Sequence, residues 1–246
     1  MSKTLVLIPS RMSATRLPGK PLLKINNLSI ISNVFKKAQE ANIGEVVVAT
    51  EDQEIFDDVV QNGGRSILTK KVHKTGTDRI YEAYKELNIR DIDLILNLQG
   101  DEPNIDINDI INLNSLMIKN QSDFGTLASE IKDNSLIDNK NVVKVITEEK
   151  LNSSNFIFAL DFFRKKILKD YQNIYHHIGI YSYTVNTLER FISLNQTKNE
   201  IENKLEQLRA LDNNIKINIA LSQSLPIGVD TEEDYLAIKK IMEYKT

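Results

Sequence analysis

The chain has 246 residues, 41% hydrophobic and 26% charged, the balance of a soluble globular protein with enough length for a sizeable core. Its 31 Lys and Arg against 34 Asp and Glu leave a formal net charge of −3, which excludes general nucleic-acid or acidic-membrane binding and makes any basic cluster a local device. Cysteine is absent, so disulfides, thiolate catalysis and Cys-type zinc sites are excluded as well.

The apolar run Thr4 to Ile8 predicts a first strand. It is too short for a signal-peptide core, and no stretch approaches the ~20 apolar residues of a membrane span, so a cytoplasmic protein is expected. The strand breaks at Pro9 into a loop that carries Arg11, Arg16, Gly19 and Lys20. Three cations beside free backbone N–H groups suit a polyphosphate, and Pro9, Pro18, Gly19 and Pro21 shape the backbone around them. The spacing is neither a Walker A loop nor a dinucleotide-binding glycine turn. A solvated basic loop is the plainer alternative.

Strand-like runs at Glu45 to Ala49, Ser66 to Leu68 and Leu94 to Leu98 alternate with helical stretches at Leu28 to Ala41, Gln53 to Gln61 and Asp78 to Leu87. In the first helix Leu28, Ile31, Val34, Phe35 and Ala38 share one face. Such alternation predicts a parallel α/β sheet, with ligands beyond the carboxyl ends of its strands. Asn97 to Pro103 follows one such strand, and Asp101 there suits Mg²⁺, which takes one or two carboxylates beside phosphates and water. A turn aspartate bonded to local N–H groups is the competing reading.

Beyond Asp106 the pattern predicts a helix to about Lys119, strands at Phe124 to Ile131, Val142 to Ile146 and Ile178 to Tyr183, and helices at Asn186 to Leu194 and Glu200 to Leu211. In the last of these Ile201, Leu205, Leu208 and Leu211 have core spacing. A strand at Ile215 to Leu221 and a helix from Thr231 complete one mixed α/β domain over residues 1–246, whose second half adds strands and an acceptor-side subregion. Asp230, just before that helix, is either an N-cap with Glu233 as its partner or a metal ligand; Thr231 and Asp234 can serve as the cap equally well. His73 and His176 read as ordinary polar surface residues.

Taken in order, the N-terminal loop, Thr75-Gly76-Thr77-Asp78-Arg79, Asn97 to Pro103, His177-Ile178-Gly179-Ile180-Tyr181, Leu205-Glu206-Gln207-Leu208-Arg209 and Gly228-Val229-Asp230-Thr231 resemble the motifs of the 3-deoxy-manno-octulosonate (KDO) cytidylyltransferases. The resemblance implies a mixed, mainly parallel sheet of the Rossmann-like nucleotidyltransferase type with helices on both faces. It implies transfer of CMP from CTP to the anomeric hydroxyl of KDO, giving CMP-KDO and pyrophosphate for lipopolysaccharide biosynthesis. A homodimer is implied too, with no nucleic-acid or membrane partner.

Residue roles follow from the same resemblance. Arg11, Ser13 and Lys20 hold the CTP phosphates with Arg16 nearby, and Asp101 and Asp230 bind Mg²⁺. Pro9 and Ser10, with Thr75, Gly76, Thr77 and Arg79, read the cytosine and ribose. Gln99 sits between nucleotide and sugar, and His177, Tyr183, Glu206 and Gln207 line the sugar pocket. Arg11, Lys20, Asp101 and Asp230 form the catalytic set. Two departures stand out: Phe156-Ile157-Phe158 replaces a Phe-Ser-Arg run, removing an expected arginine that Arg164, Lys165 or Lys166 would have to supply, and Asp212-Asn213 replaces an aromatic pair. Those departures admit a related acid sugar as acceptor; a non-catalytic CTP-binding regulator is the other alternative, and it should lack one metal carboxylate.

Overall fold

The structure, a computed structural model, describes residues 2–13, 16–70, 73, 75–133, 135–164 and 172–244. Residues 14 and 15 of the basic loop, and Lys165 and Lys166, lie outside the described residues. The chain divides into two compact units, Met1–Ile111 with Pro226–Thr246, and Asn112–Leu225.

The first unit begins with β1 (Thr4–Ser10), a 3₁₀ turn at Lys20–Leu22, and a two-stranded ribbon of β2 (Lys24–Ile25) and β3 (Leu28–Ser29). It continues through α1 (Ile30–Glu40), β4 (Gly44–Thr50), α2 (Gln53–Gln61), β5 (Ser66–Leu68), α3 (Gly76–Leu87) and β6 (Leu94–Asn97), and α4 (Ile107–Asn120) leads out of it. Leu28, expected in the first helix, belongs to the ribbon instead. Ser29 is the N-cap of α1, its hydroxyl accepting from Ser32 N at 3.0 Å, and satisfying that end fixes where the helix starts. The strands pair in parallel in the order β5-β4-β1-β6, and β1 is buried along nearly its whole length, as a central parallel strand must be.

The second unit holds β7 (Phe124–Glu130), α5 (Ser135–Asp138), β8 (Lys144–Thr147), β9 (Ile157–Phe163), β10 (Ile174–Thr184), α6 (Val185–Ser193), α7 (Lys198–Asn203), α8 (Leu208–Asp212) and β11 (Asn218–Leu221). The mixed α/β sheet expected from sequence is present, yet here the pairing is antiparallel except for β7 with β11. The order β10-β7-β11-β9-β8 with a further β10–β8 ladder closes the five strands into a ring of pairings. β9 has no counterpart among the strands expected from sequence. The helix expected over Glu200 to Leu211 is two, because Lys204 turns left-handed at φ 53° and ends α7. Ile201, expected in the core, is exposed as a result.

The last helix, α9 (Glu232–Tyr244), returns to the first unit. Ile25, Ile30, Val229 and Ile238 form a buried apolar cluster, with Leu17, Leu23, Ile227, Tyr235, Ile241 and Met242 packed around it. That packing brings residues separated by more than two hundred positions together at the end of β1.

Candidate active site

A cavity of about 390 Å³ opens in the first unit, lined by Pro9, Ser10, Arg11, Ser13, Arg16 and Lys20 from the loop after β1, by Thr75, Gly76 and Arg79 of α3, by Gln99, Gly100 and Asp101 after β6, and by Asp230, together with Pro21 and His73. It lies beyond the carboxyl ends of parallel strands, where the sequence placed it.

Local chemistry shapes each wall. Met12 N donates to Asp52 Oδ2 at 2.7 Å, tying the loop to the end of β4. Gly19 takes φ +72° and starts the 3₁₀ turn that presents Lys20, a left-handed conformation that glycine adopts without a Cβ penalty. At Gly100 a Cβ would come within 2.9 Å of Pro9 O, so glycine there is what allows the two loops to touch. Thr75 and Asp78 form a complete capping box at the start of α3.

The charged end of the cavity is built on Lys20. Its Nζ donates to Asp101 Oδ2 at 2.6 Å, to Val229 O at 2.8 Å and to Asp230 Oδ1 at 3.2 Å. Arg16 Nη2 reaches the other oxygen of Asp230 at 2.8 Å. Burial works against the Lys20 ammonium, but the Asp101 and Asp230 carboxylates outweigh it and hold its pKa above the ordinary lysine value. Glu102 is held in its neutral form instead: burial first, then Asp101 and Asp230, push its carboxyl up to about 8.

The two readings of Asp230 separate here. The helix is capped by Thr231 and Asp234: Thr231 Oγ1 accepts from Asp234 N at 3.2 Å, and Asp234 Oδ2 accepts from Thr231 N at 2.9 Å and from Asp230 N at 3.1 Å. The Asp230 carboxylate is thereby left for the cavity. Val229 N donates to Asp101 O at 2.9 Å, which fixes the two aspartates side by side. Among the described residues no group of three or more His, Cys, Asp or Glu forms a metal cage. Two converging carboxylates, with a third carboxyl whose ionisation they suppress, nevertheless fit a Mg²⁺ that completes its shell with phosphate oxygens and water.

Not every expected residue faces the cavity. Thr77 is buried and is not among the lining residues. Arg79 lines the wall with its guanidinium already engaged, Nη1 donating to Thr69 Oγ1 at 2.6 Å and Nη2 to Glu51 Oε2 at 2.7 Å. His73, expected as a surface residue, lines the cavity and pairs with Glu82 at 2.6 Å. That pair joins a loop to the middle of α3, a contact without a local sequence signal.

The residues expected to hold the sugar, apart from Gln99, belong to the second unit. His177 on β10 is buried, its Nε2 3.1 Å from Thr126 Oγ1. The Thr126 hydroxyl has one proton and lies against the Ile178 and Ile180 carbonyls, so His177 donates to it through Nε2–H. Burial, followed by the charges of His176 and Arg164, pushes its pKa down to about 3. Tyr183 packs into an aromatic core with Phe124 at 4.4 Å and Phe191 at 6.3 Å, and Tyr181, which closes the His177 motif without an expected role of its own, lies between His177 and Tyr183. His176, expected on the surface, is half-buried with its pKa lowered by burial and by Lys144.

Glu206 and Gln207 sit in the turn between α7 and α8 rather than on a helix face. The turn is clamped by a buried pair, Arg209 Nε and Nη2 donating to Glu200 at 2.9 and 2.6 Å. Gln207 is buried with Nε2 lacking a partner among the described residues. Asp212, one of the two departures, accepts from Thr197 Oγ1 at 2.5 Å and Asn199 Nδ2 at 3.2 Å, fastening the end of α8 to the start of α7.

The other departure falls at the start of β9. Phe158 is not beside His177; its ring lies under Lys216 Nζ at 4.5 Å in a separate hollow of the second unit that Phe156 also lines. Phe162 meets the His177 ring edge-on at 5.0 Å, and Arg164, two residues on, sends its charge onto His177. Arg164, one of the cations that the sequence offers in place of the missing arginine, directly follows Phe162 and Phe163 at the end of β9.

Among known proteins, the cytidylyltransferase family model matches residues 5–217. A 3-deoxy-manno-octulosonate cytidylyltransferase from Afipia carboxidovorans is 41% identical over 240 residues, covering 97% of this chain and 96% of its own. One from Brucella anthropi is 41% identical over 234 residues, covering 94% and 93%. The solved structure of CMP:2-keto-3-deoxy-manno-octonic acid synthetase complexed with CTP superimposes with a TM-score of 0.90 at 31% identity, over 100% of both chains. UDP-glucose pyrophosphorylase complexed with UDP-glucose shares the fold at a TM-score of 0.74 and 17% identity.

Proposed function

The chain belongs to the 3-deoxy-manno-octulosonate cytidylyltransferases of the cytidylyltransferase family, and from that membership we propose that it transfers CMP from CTP to KDO with release of pyrophosphate. The observation that carries this reading in the chain itself is the convergence of Asp101 and Asp230 on Lys20 at the mouth of a cavity lined by further cations.

In this reading the anomeric oxygen of KDO attacks the α-phosphorus in line and pyrophosphate leaves on the opposite side. Arg11, Arg16 and Lys20 hold phosphate oxygens and stabilise the negative charge that develops on them, and positioning supplies much of the rest. Asp101 and Asp230 hold Mg²⁺, which when bound adds charge neutralisation at the phosphates and lowers the pKa of a hydroxyl it contacts. The Pro9–Ser10 backbone and the start of α3 read cytosine, whose N4 donor distinguishes it from uracil. Arg164, His177, Glu206 and Gln207 hold the sugar, with Arg164 supplying the cation for its carboxylate. We assign the protein to the cytoplasm and to lipopolysaccharide biosynthesis, acting as a homodimer and as one nucleotidyltransferase domain. Among the described residues no helix is long and apolar enough to cross a membrane.

A non-catalytic nucleotide-binding role is disfavoured because both carboxylates are retained and aligned. Pyrophosphate release with CTP and Mg²⁺, measured over KDO and related sugar acids and repeated with UTP, tests the proposal. Strong preference for CTP and KDO is expected; equal kcat/KM with UTP would overturn the nucleotide assignment, since a buried group left unpaired costs roughly 1–3 kcal/mol.

A further inference from the structure

Lys144 on β8 is a second buried lysine, and nothing in the mechanism above uses it. It has no solvent-accessible surface. Its Nζ donates to Asn139 O at 2.9 Å, Val142 O at 2.9 Å and Arg164 O at 2.6 Å, and lies 5.5 Å from the centre of the Phe163 ring. Three carbonyl acceptors use all three protons of an ammonium, where a neutral amine offers two, so the geometry is that of the cation. A charge held by carbonyls rather than by a carboxylate is costly to bury, and an apolar side chain of similar size is often the more stable choice. The amine must therefore be judged by what it holds.

It holds the end of one strand to the turn before another. Lys144 stands opposite Phe163 in β9 and His176 in β10, and the β9 ladder goes no further. The next carbonyl along β9 is that of Arg164, the shortest of the three contacts. The guanidinium of Arg164 leans on the same turn, Nη1 donating to Asn141 O at 3.2 Å, between the two carbonyls that Lys144 grips. Val143 O, beside them, accepts from His177 N at 2.9 Å. The main chain of Arg164 and the turn its guanidinium rests on are thus fastened to a single nitrogen.

We propose that Lys144 is a positioning residue for acceptor binding: it does not touch the sugar, and acts by fixing Arg164 where the guanidinium can receive the carboxylate of a keto acid. The proposal rests on the reading that Arg164 binds that carboxylate. Displacement of a binding group by about an ångström is enough to cost up to ~10²-fold.

The test is a double-mutant cycle in the full chain, with steady-state kinetics in CTP, Mg²⁺ and KDO. Lys144→Met keeps the stem and removes the three hydrogen bonds. It should raise KM for KDO roughly tenfold, with KM for CTP unchanged and kcat within about a factor of three. Arg164→Ala should raise KM for KDO by itself, and adding Lys144→Met to it should raise KM no further. A lysine that merely stabilises the fold would lower the melting temperature and the active fraction, hence kcat, and leave KM for KDO alone; that result, or additive effects on KM, would overturn the proposal. If Arg164→Ala leaves KM for KDO unchanged, the carboxylate reading itself fails and takes the proposal with it. Should Lys144→Met give no folded protein by circular dichroism, Lys144→Gln is read by the same criteria.

Discussion

Two lysines are drawn into this molecule, and their partners differ. In the first unit Lys20 faces two carboxylates and its pKa is held high; in the second Lys144 faces three backbone carbonyls, and burial followed by the Arg164 charge pushes its pKa down. Carboxylates with lone pairs to spare can share a cation with a metal or exchange it for a substrate, whereas carbonyls that have locked an ammonium in place offer nothing to exchange. Burial of a cation is therefore not by itself a sign of chemistry. The partners decide whether the charge is available to a ligand or committed to holding nearby main chain.

The contrast is broken most sharply at the carboxylates. Asp101→Asn and Asp230→Asn should each lower turnover by roughly 10²–10³-fold, and the double variant should lose little more, because groups acting through one ion are not additive. Asparagine caps a helix about as well as aspartate. With Thr231 and Asp234 already forming the cap, near wild-type turnover in Asp230→Asn at limiting Mg²⁺ would reject the metal role outright.

On the acceptor side the expected effect is smaller. A charge-assisted hydrogen bond is worth about 1.5–3 kcal/mol, so Arg164→Ala should raise KM for KDO by roughly 10–100-fold while KM for CTP stays within experimental scatter. A matching rise in KM for CTP would erase the division of labour between the two lysine neighbourhoods.

His177 sharpens the comparison through stability. Its folded pKa of about 3 lies below the ordinary 6.5, so between those values the unfolded chain binds a proton that the folded one refuses. Stability therefore rises with pH across this window and is lost as pH falls through it, by at most about 1.4 kcal/mol per pH unit. Urea unfolding at pH 7 and pH 4.5 should show a larger loss for the wild type than for His177→Gln. Equal losses would mean that the imidazole is not sealed from solvent.

The smallest effect belongs to the loop that presents Lys20. Among the described residues Gly19→Ala meets only Met12 Cε, at 3.6 Å, so its cost is conformational, about 1 kcal/mol for a residue forced to positive φ. Thermal unfolding should register it, with turnover changed less than in either aspartate variant.

What the sequence disclosed, and what it hid, follows the same line between local and distant causes. The cations after β1, the turn at Gly100 and the Thr231–Asp234 cap are written in consecutive residues, and the cavity they form could be read from them. β9 could not, because all of its seven residues but Asp161 are apolar, leaving no alternation of polar and apolar residues to mark a strand. The edge contact of Phe162 with His177 is equally silent in the sequence, since it joins residues of two different strands. The break at Lys204 gives no warning either, since lysine is an uncommon residue for a left-handed turn. His73 in the cavity wall lies against Glu82, nine residues further along, a contact that no local pattern announces.

The return of residues 226–246 to the first unit also bears on how the protein is made. Synthesis at roughly 5–20 residues per second delivers every strand of the second unit before Asp230 and α9 emerge, so the unit begun first is finished last. Until then the Ile25–Ile30 patch lacks the Val229 and Ile238 that cover it, and Asp101 lacks its companion carboxylate. A nascent chain caught midway carries the basic loop and a single aspartate, and the pairing of Asp101 with Asp230 waits for residues 226–246.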